Sequence, residues 1–397
     1  MTIHSFSDEL QRTRPDYVVF RPSGRSDLAD SANEHFLVFR RGDGTLAAIW
    51  TQSSFEGRHD QHIVFAESDR DGVKWSAPRL IAGGRSNPDT GENMCSWAFP
   101  LVSRSGRIYV LYIRHIGRND IATHTTGIMT GICSDDNGAS WSAPLPVPMP
   151  PTRWDSTDPT MPPSIIIWQK PLRFGDGHYL SGVTRWVSPS RYTVPPGSWI
   201  NWHSVVDMIR FENIDDDVPP DRLRITLLTV GDRSLTFPVP AYPELSGLQE
   251  ASLAELPDGR IMAVMRSVSG SPVYSVSADG GESWSKPEKL CYGDGLPAIL
   301  HPLSPCPFYR IADGEFVLFI HNNDGSFGPW REHEGNCRRP VYLLYGKFNP
   351  DGRQPVDFSV PISWFDSDNV ELNGRSDLAL YSSLEWLDGR PVLWYPD

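Results

Sequence analysis

Six times along the chain a glycine-containing turn leads straight into an apolar, strand-like run, and no other feature restricts the fold as strongly. The turn glycines are Gly44, Gly106, Gly177, Gly259, Gly314 and Gly389, in segments such as GDGTLAAIW, PDGRIMAVM and ADGEFVLFI, with separations of 62, 71, 82, 55 and 75 residues. A four-stranded blade with ordinary loops takes roughly 40–50 residues, so each interval holds one decorated blade. Six copies predict six blades. The 33 glycines and 36 prolines are scattered along the chain without a collagen-like period, as many short strands joined by turns require. No segment has sustained helical periodicity.

A second unit interleaves with the first, of the form Ser-x-Asp-x-Gly-x-Ser/Thr-Trp. Ser134–Trp141 (SDDNGASW) and Ser277–Trp284 (SADGGESW) match it in full, while Ser68–Trp75 (SDRDGVKW) carries Arg70 at the aspartate position and Lys74 at the hydroxyl position. The expected role is structural. An aspartate caps backbone N–H groups of its own turn, glycine supplies the positive φ, and tryptophan fills the gap between strands. The interval between Trp141 and Gly247 holds two proline-rich stretches and an aromatic patch, Trp199 to His203, and is read as the third blade with its loops.

These boxes resemble the Asp boxes, or BNR repeats, of the sialidase superfamily of six-bladed β-propellers, and the similarity runs from about Tyr17 to Tyr395. The resemblance implies an all-β, sialidase-like six-bladed β-propeller. Residues 1–16 are an N-terminal extension and 17–397 a single propeller domain. The chain ends just after PVLWY, one strand short, and the β-prone run Tyr17–Phe20 (YVVF) is suited to close the ring in the last blade.

The same resemblance implies a site. Sialidases use a tyrosine nucleophile assisted by a glutamate, three arginines that clamp the substrate carboxylate, and an acid/base aspartate on a loop of the first blade. A neutral phenol can approach an anionic sugar that would repel a charged nucleophile. Tyr381, in LYSSLEWLDG, is similar to the family tyrosine. Glu250 stands nine residues before Gly259, with Glu255 as a decoy on the same strand. Arg266 (IMAVMRS) matches the second arginine, and Arg339 or its neighbour Arg338 the third; on a strand only one of these two can face the axis.

The first blade departs from the family pattern. Where an Arg-Ile-Pro segment is expected the chain reads Asn33-Glu34-His35, and Arg21 is the nearest substitute, 23 residues before Gly44. After the strand, WTQSS stands where another arginine belongs. Asp60 takes about the place of the acid/base aspartate, flanked by His59 and His62, side chains suited to proton transfer near neutral pH. His115 (YIRHIGRND) closes the strand after Gly106, and this segment looks like that of polysaccharide lyases of the wider superfamily, where a histidine or tyrosine removes the proton beside a uronate carboxylate. Trp97, Trp199, Trp202, Tyr192 and Trp330 are aromatic platforms on which a sugar face can stack.

Composition narrows the partners. Lys and Arg number 36 against 49 Asp and Glu, a formal charge of −13, which disfavours a nucleic-acid backbone as ligand. No run approaches the roughly 18 apolar residues of a membrane helix. Cys95, Cys133, Cys291, Cys306 and Cys337 are widely spaced without a CxxC pair, so neither a disulfide framework nor a zinc site is indicated, and no metal or cofactor is expected. With no signal-like N-terminus, the chain as given reads as soluble and cytoplasmic. The readings are an exo-glycosidase releasing a terminal acidic sugar from a glycan, a lyase cleaving uronate-containing glycans by β-elimination, and a non-catalytic carbohydrate-binding propeller.

Overall fold

The computed structural model describes residues 14–23, 25, 28–326, 337–366, 378 and 380–396. All its long elements are strands, as the turn punctuation requires, and the helical pieces are single 3₁₀ turns. The chain packs as two compact units, one spanning Pro22–Ser234 with Tyr381–Pro396, the other Leu235–Leu380 with the residues up to Arg21.

The larger unit contains three blades. The first is β1 (Ala32–Arg40), β2 (Leu46–Ser53), β3 (His62–Glu67) and β4 (Arg79–Ala82), antiparallel in chain order. The second repeats that order with β5 (Cys95–Val102), β6 (Ile108–Arg114), β7 (Ile128–Ser134) and β8 (Leu145–Pro146). The third fills the long interval before Gly247. Its strands β9 (Ile165–Ile166) and β10 (Leu172–Arg173) both pair with β11 (Tyr179–Trp186), followed by β12 (Ser204–Phe211) and β13 (Ile225–Leu227). Strands β2 (LAAIWTQS) and β11 (YLSGVTRW) are buried along their whole length, on both faces, so neither keeps the polar–apolar alternation of a strand with one solvated face. Leu37, Ile49, Phe99, Leu111, Trp168 and Ile209 belong to one continuous core.

The smaller unit begins with a ribbon of β14 (Pro238–Val239) and β15 (Tyr242–Ser246). Its fourth blade is β16 (Leu248–Glu255), β17 (Ile261–Ser267), β18 (Val273–Ser277) and β19 (Glu288–Lys289). The fifth is β20 (Phe308–Ala312), β21 (Glu315–Ile320), β22 (Val341–Phe348) and β23 (Val356–Phe358), with β24 (Ile362–Phe365) also on β22. Its core gathers Met262, Leu318, Phe308, Phe316 and Phe358.

Five blades are formed among the described residues, not six, and no closed ring is seen. The sixth turn, at Gly389, builds only the ribbon of β25 (Ser383–Leu387) and β26 (Arg390–Trp394). Tyr17–Phe20 enters no strand. Pro15 and Pro22 flank that run, and neither has an N–H to extend a ladder. The ribbon instead docks on the first blade, where the Val38 N–H donates to Ser383 Oγ at 2.8 Å and Trp394 meets Trp75 edge-on at 5.5 Å.

All six turn glycines have positive φ, between 73° and 98°, and each joins two paired strands. The box segments act locally. Asp136 accepts hydrogen bonds from the Ser140 N–H and hydroxyl and from Ser134 Oγ, which hold its carboxyl down at about 2. Asp279 does the same with Ser283 and Ser277. In the degenerate segment Asp69, one residue before Arg70, accepts from the Val73 and Lys74 N–H groups, so the turn keeps its carboxylate through a shift in position.

Candidate functional site

The position nine residues before the turn glycine organises the larger unit. It is occupied by His35, Trp97 and Trp168 in blades one to three, and all three side chains surround Tyr381, which immediately precedes the last ribbon. His35 lies 5.1 Å from the Tyr381 ring, Trp97 5.5 Å and Trp168 5.9 Å, centroid to centroid and each edge-on. Edge-to-face packing at these separations is the favoured arrangement of aromatic quadrupoles. Tyr381 is half-buried, whereas the three rings around it are at most 3 % exposed.

Two of those positions carry strained backbone. β1 and β5 bulge against their partners between Glu34 and Leu37 and between Ser96 and Phe99, and His35 and Trp97 adopt φ of 54° and 55°. A left-handed residue other than glycine costs about 1–3 kcal/mol and turns its side chain away from the normal pleat. Thr51, on β2, joins the two bulges. Its Oγ1 accepts the Trp97 N–H at 3.1 Å and lies 3.2 Å from His35 Nδ1. Burial drives the His35 imidazole well below its usual range, against the opposing charge of Glu56, so the ring is neutral.

The third bulge of this kind is in the smaller unit. β16 shifts register between Gln249 and Ala251, and Glu250, with φ of 51°, is the extra residue. Its carboxylate accepts both contacts from Arg266 Nη1, at 2.8 and 2.9 Å, and the pair is 2 % and 9 % exposed. Charge-assisted bonds of this length are the strong kind, and they recover part of the cost of removing both charges from water. Glu255, by contrast, is exposed at the end of β16. Cys306, fully buried, has its thiol pushed up by desolvation and by the charge of Glu250, and stays protonated.

Arg338 and Arg339 precede β22 rather than lying on it, so the strand argument for choosing between them does not apply. Arg338 Nη2 donates to the Leu303 carbonyl at 3.0 Å, and Arg339 Nε lies 3.8 Å from Asp366 Oδ1. Beside Arg338, His301 and His321 stack in parallel at 5.4 Å, both buried. His321 donates its backbone N–H to His301 Nδ1, and Ser304 Oγ lies 3.2 Å from His321 Nε2. Desolvation lowers both imidazoles, that of His301 to about 3.

In the first-blade loop, Asp60 accepts the Ser54 N–H at 3.3 Å, a loop-closing role, and His62 Nδ1–H donates to the Asp60 carbonyl at 2.8 Å. His59 is exposed, 3.4 Å from Ser86 Oγ. Arg21 is exposed and outside any strand. His115 is 1 % exposed. Gly91 covers it closely, for a methyl group at Gly91 would stand 3.2 Å from the imidazole and 2.8 Å from Thr123. Trp199, Trp202 and Tyr192 are half-buried in the third-blade loops, and Trp330 lies outside the described residues. His35 and Trp168 were not among the sequence candidates, although the nine-residue offset that selected Glu250 points to both.

A family described as "BNR repeat-like domain" matches residues 44–385. No curated protein matches the chain in sequence. Among solved structures, the NanB sialidase of Streptococcus pneumoniae aligns at 13 % identity over 96 % of this chain and 67 % of its own, with a TM-score of 0.59. The intramolecular trans-sialidase of Ruminococcus gnavus aligns at 14 % identity over 96 % and 92 %, TM-score 0.56. A Dyadobacter fermentans protein of unknown function aligns at 16 % identity over 87 % and 97 %, TM-score 0.52. At these identities the likeness is one of fold.

Proposed function

Because this chain belongs to the BNR repeat-like family, with an all-β propeller fold shared with sialidases, we propose that it is a carbohydrate-active enzyme, an exo-glycosidase that releases a terminal acidic sugar. The observation that carries the reading is Tyr381, a half-buried phenol whose ring is edge-packed by His35, Trp97 and Trp168. Three buried rings restrict its orientation, and a nucleophile gains rate when its approach is fixed before the substrate arrives. In this reading the Tyr381 oxygen attacks the anomeric carbon, the glycosidic oxygen leaves with a proton, and water then hydrolyses the tyrosyl glycoside. By the family resemblance, the carboxylate role is assigned to Glu250 and the guanidinium roles to Arg266, Arg338 and Arg339, all within the smaller unit. The loop proton donor of the reading is Asp60, with His59 and His62 beside it.

The test is a screen over acidic glycans read two ways, as new reducing ends and as ultraviolet absorbance. Hydrolysis yields reducing ends without absorbance, and Tyr381→Phe, which keeps the ring packing, lowers turnover by about 10²-fold or more. Near-normal turnover of Tyr381→Phe overturns the nucleophile assignment. Absorbance from a new conjugated double bond would instead mark elimination. His115, buried just after β6, is the residue on which that second reading rests, and its cover of Gly91 and Thr123 weighs against it.

A further inference from the structure

Away from Tyr381, the loops after the second- and third-blade strands build a second polar and aromatic cluster that the proposed chemistry does not use. Asp120 follows β6 in the loop that leads to β7. Its backbone N–H is held by Thr126 Oγ1 at 3.4 Å, and its half-buried carboxylate accepts from Ser188 Oγ at 3.1 Å. Ser188 Oγ lies 2.9 Å from Ser190 Oγ, and Ser190 Oγ accepts the Thr157 N–H at 2.9 Å while standing at the surface. Four residues past Ser188, the Tyr192 ring packs edge-on against His203 at 4.5 Å, and its hydroxyl is shut off from solvent with no hydrogen-bond partner among the described residues. Trp154 also meets His203 edge-on, at 6.4 Å, and is anchored by its indole N–H to Ser234 Oγ at 2.9 Å.

A buried phenol without a partner forfeits about 1–3 kcal/mol. A ligand hydroxyl that reached it would recover that loss. The same ligand would find the Asp120 carboxylate as acceptor, Ser190 Oγ as a second polar contact and the edge of Tyr192 as an apolar surface. Hydroxyls at several points of an otherwise apolar ring face describe a sugar.

The surrounding charge decides which sugar. Asp155 lies close enough to raise the Asp120 carboxyl, although desolvation is the larger cause, and Asp120 in turn raises the Tyr192 phenol. Two of the cations nearby are held by other carboxylates, and a third by a backbone carbonyl. Arg185, 1 % exposed, is paired with Asp155 and with Asp207, the latter at 2.8 Å. Arg118 is paired with Asp158 at 2.8 Å. Arg191 Nε donates to the Asp155 carbonyl at 2.6 Å. The Asp120 carboxylate, with no cation paired to it among the described residues, is the charge that an acidic sugar would meet.

We propose that Asp120, Ser188, Ser190 and Tyr192 form a binding subsite for a neutral saccharide unit. It rests on the carbohydrate reading above for the ligand class alone. The subsite accepts sugar hydroxyls at Asp120 and Ser190 and pairs one with the Tyr192 hydroxyl.

The test is calorimetric titration of the full chain with lactose, maltose and N,N′-diacetylchitobiose, and with digalacturonate as the acidic probe. At least one neutral disaccharide binds with Kd of about 1 mM or tighter, and more tightly than digalacturonate. Asp120→Asn and Tyr192→Phe, which keep shape and fold by near-ultraviolet circular dichroism, each weaken it tenfold or more. The inference is overturned if no neutral probe binds, if digalacturonate binds most tightly, or if either variant binds as the parent does. These readouts are equilibrium binding without turnover, so a failed nucleophile assignment at Tyr381 leaves them unaffected, and their failure leaves that assignment standing.

Discussion

His35 lies flat on Trp97, with ring centroids 3.2 Å apart and planes 22° apart, and both residues sit in left-handed backbone at the same offset from their turn glycines. Two bulges in neighbouring blades thus present their extra side chains to each other and to Tyr381, and Thr51 ties them together from β2. The strain at each bulge is held in place by this packing.

That strain has a signature in mutants. His35→Ala and His35→Gly remove the same ring, but only glycine adopts φ of 54° without penalty. The glycine variant should retain more stability than the alanine variant by about 1 kcal/mol. Urea denaturation midpoints of the two proteins check this, and the reverse order would mean that the bulge carries no strain.

Acid should unfold the protein through its buried histidines. His301, His321 and His35 have folded-state values below the ordinary 6.5, chiefly from desolvation, with His301 at about 3. The unfolded chain therefore binds more protons below pH 6.5. The stability these groups contribute is complete above that pH and declines as pH falls towards the folded values. For His301 alone the loss at pH 5 is about 2 kcal/mol. Midpoints measured between pH 7.5 and 4.5 should fall steadily below 6.5, less so in His301→Gln, and a flat profile would contradict the neutral buried assignment.

The buried pair of Glu250 and Arg266 calls for a double-mutant cycle. Glu250→Gln removes the charge paired with Arg266 Nη1, and breaking a buried pair from one side costs about 3–5 kcal/mol. Arg266→Met breaks the same pair from the other side. The double variant should be less destabilised than the sum of the singles by about 2 kcal/mol or more. Thermal unfolding of all four proteins measures the coupling, and simple additivity would show that the pair is not coupled.

The repeat was legible because it is local. Each of Gly44, Gly106, Gly177, Gly259, Gly314 and Gly389 needs only its own few neighbours to make a turn. Closure was not legible, because whether Tyr17–Phe20 joins a ladder depends on a partner far away in sequence and on the prolines at its ends. Among the candidate site residues, Tyr381, Glu250 and Arg266 were marked by their spacing from the turn glycines. His35 was not, because comparison with an arginine-bearing family marks that place as a loss. The imidazole's role arises from Trp97 and Thr51, 62 and 16 residues away. Asp60 had the right address, yet its carboxylate closes its own loop on Ser54, a contact that spacing alone does not reveal.

The degenerate box of the first blade offers a last and sharper test of how the turns are held. By motif, Arg70 occupies the aspartate's place, and its substitution should matter most. By geometry, Asp69 bonds the Val73 and Lys74 N–H groups and Ser68 Oγ, and those bonds outweigh its desolvation and hold its carboxyl below the ordinary range. Trp75, whose indole N–H donates to the Gly72 carbonyl at 2.9 Å, packs on Trp394 of the last ribbon, so loosening this turn also loosens the ribbon's seat. Asp69→Ala should therefore lower the melting temperature, while Arg70→Ala leaves it near that of the parent. Melting curves of the two variants decide the matter. An equal or larger drop for Arg70→Ala would return the capping role to the motif position.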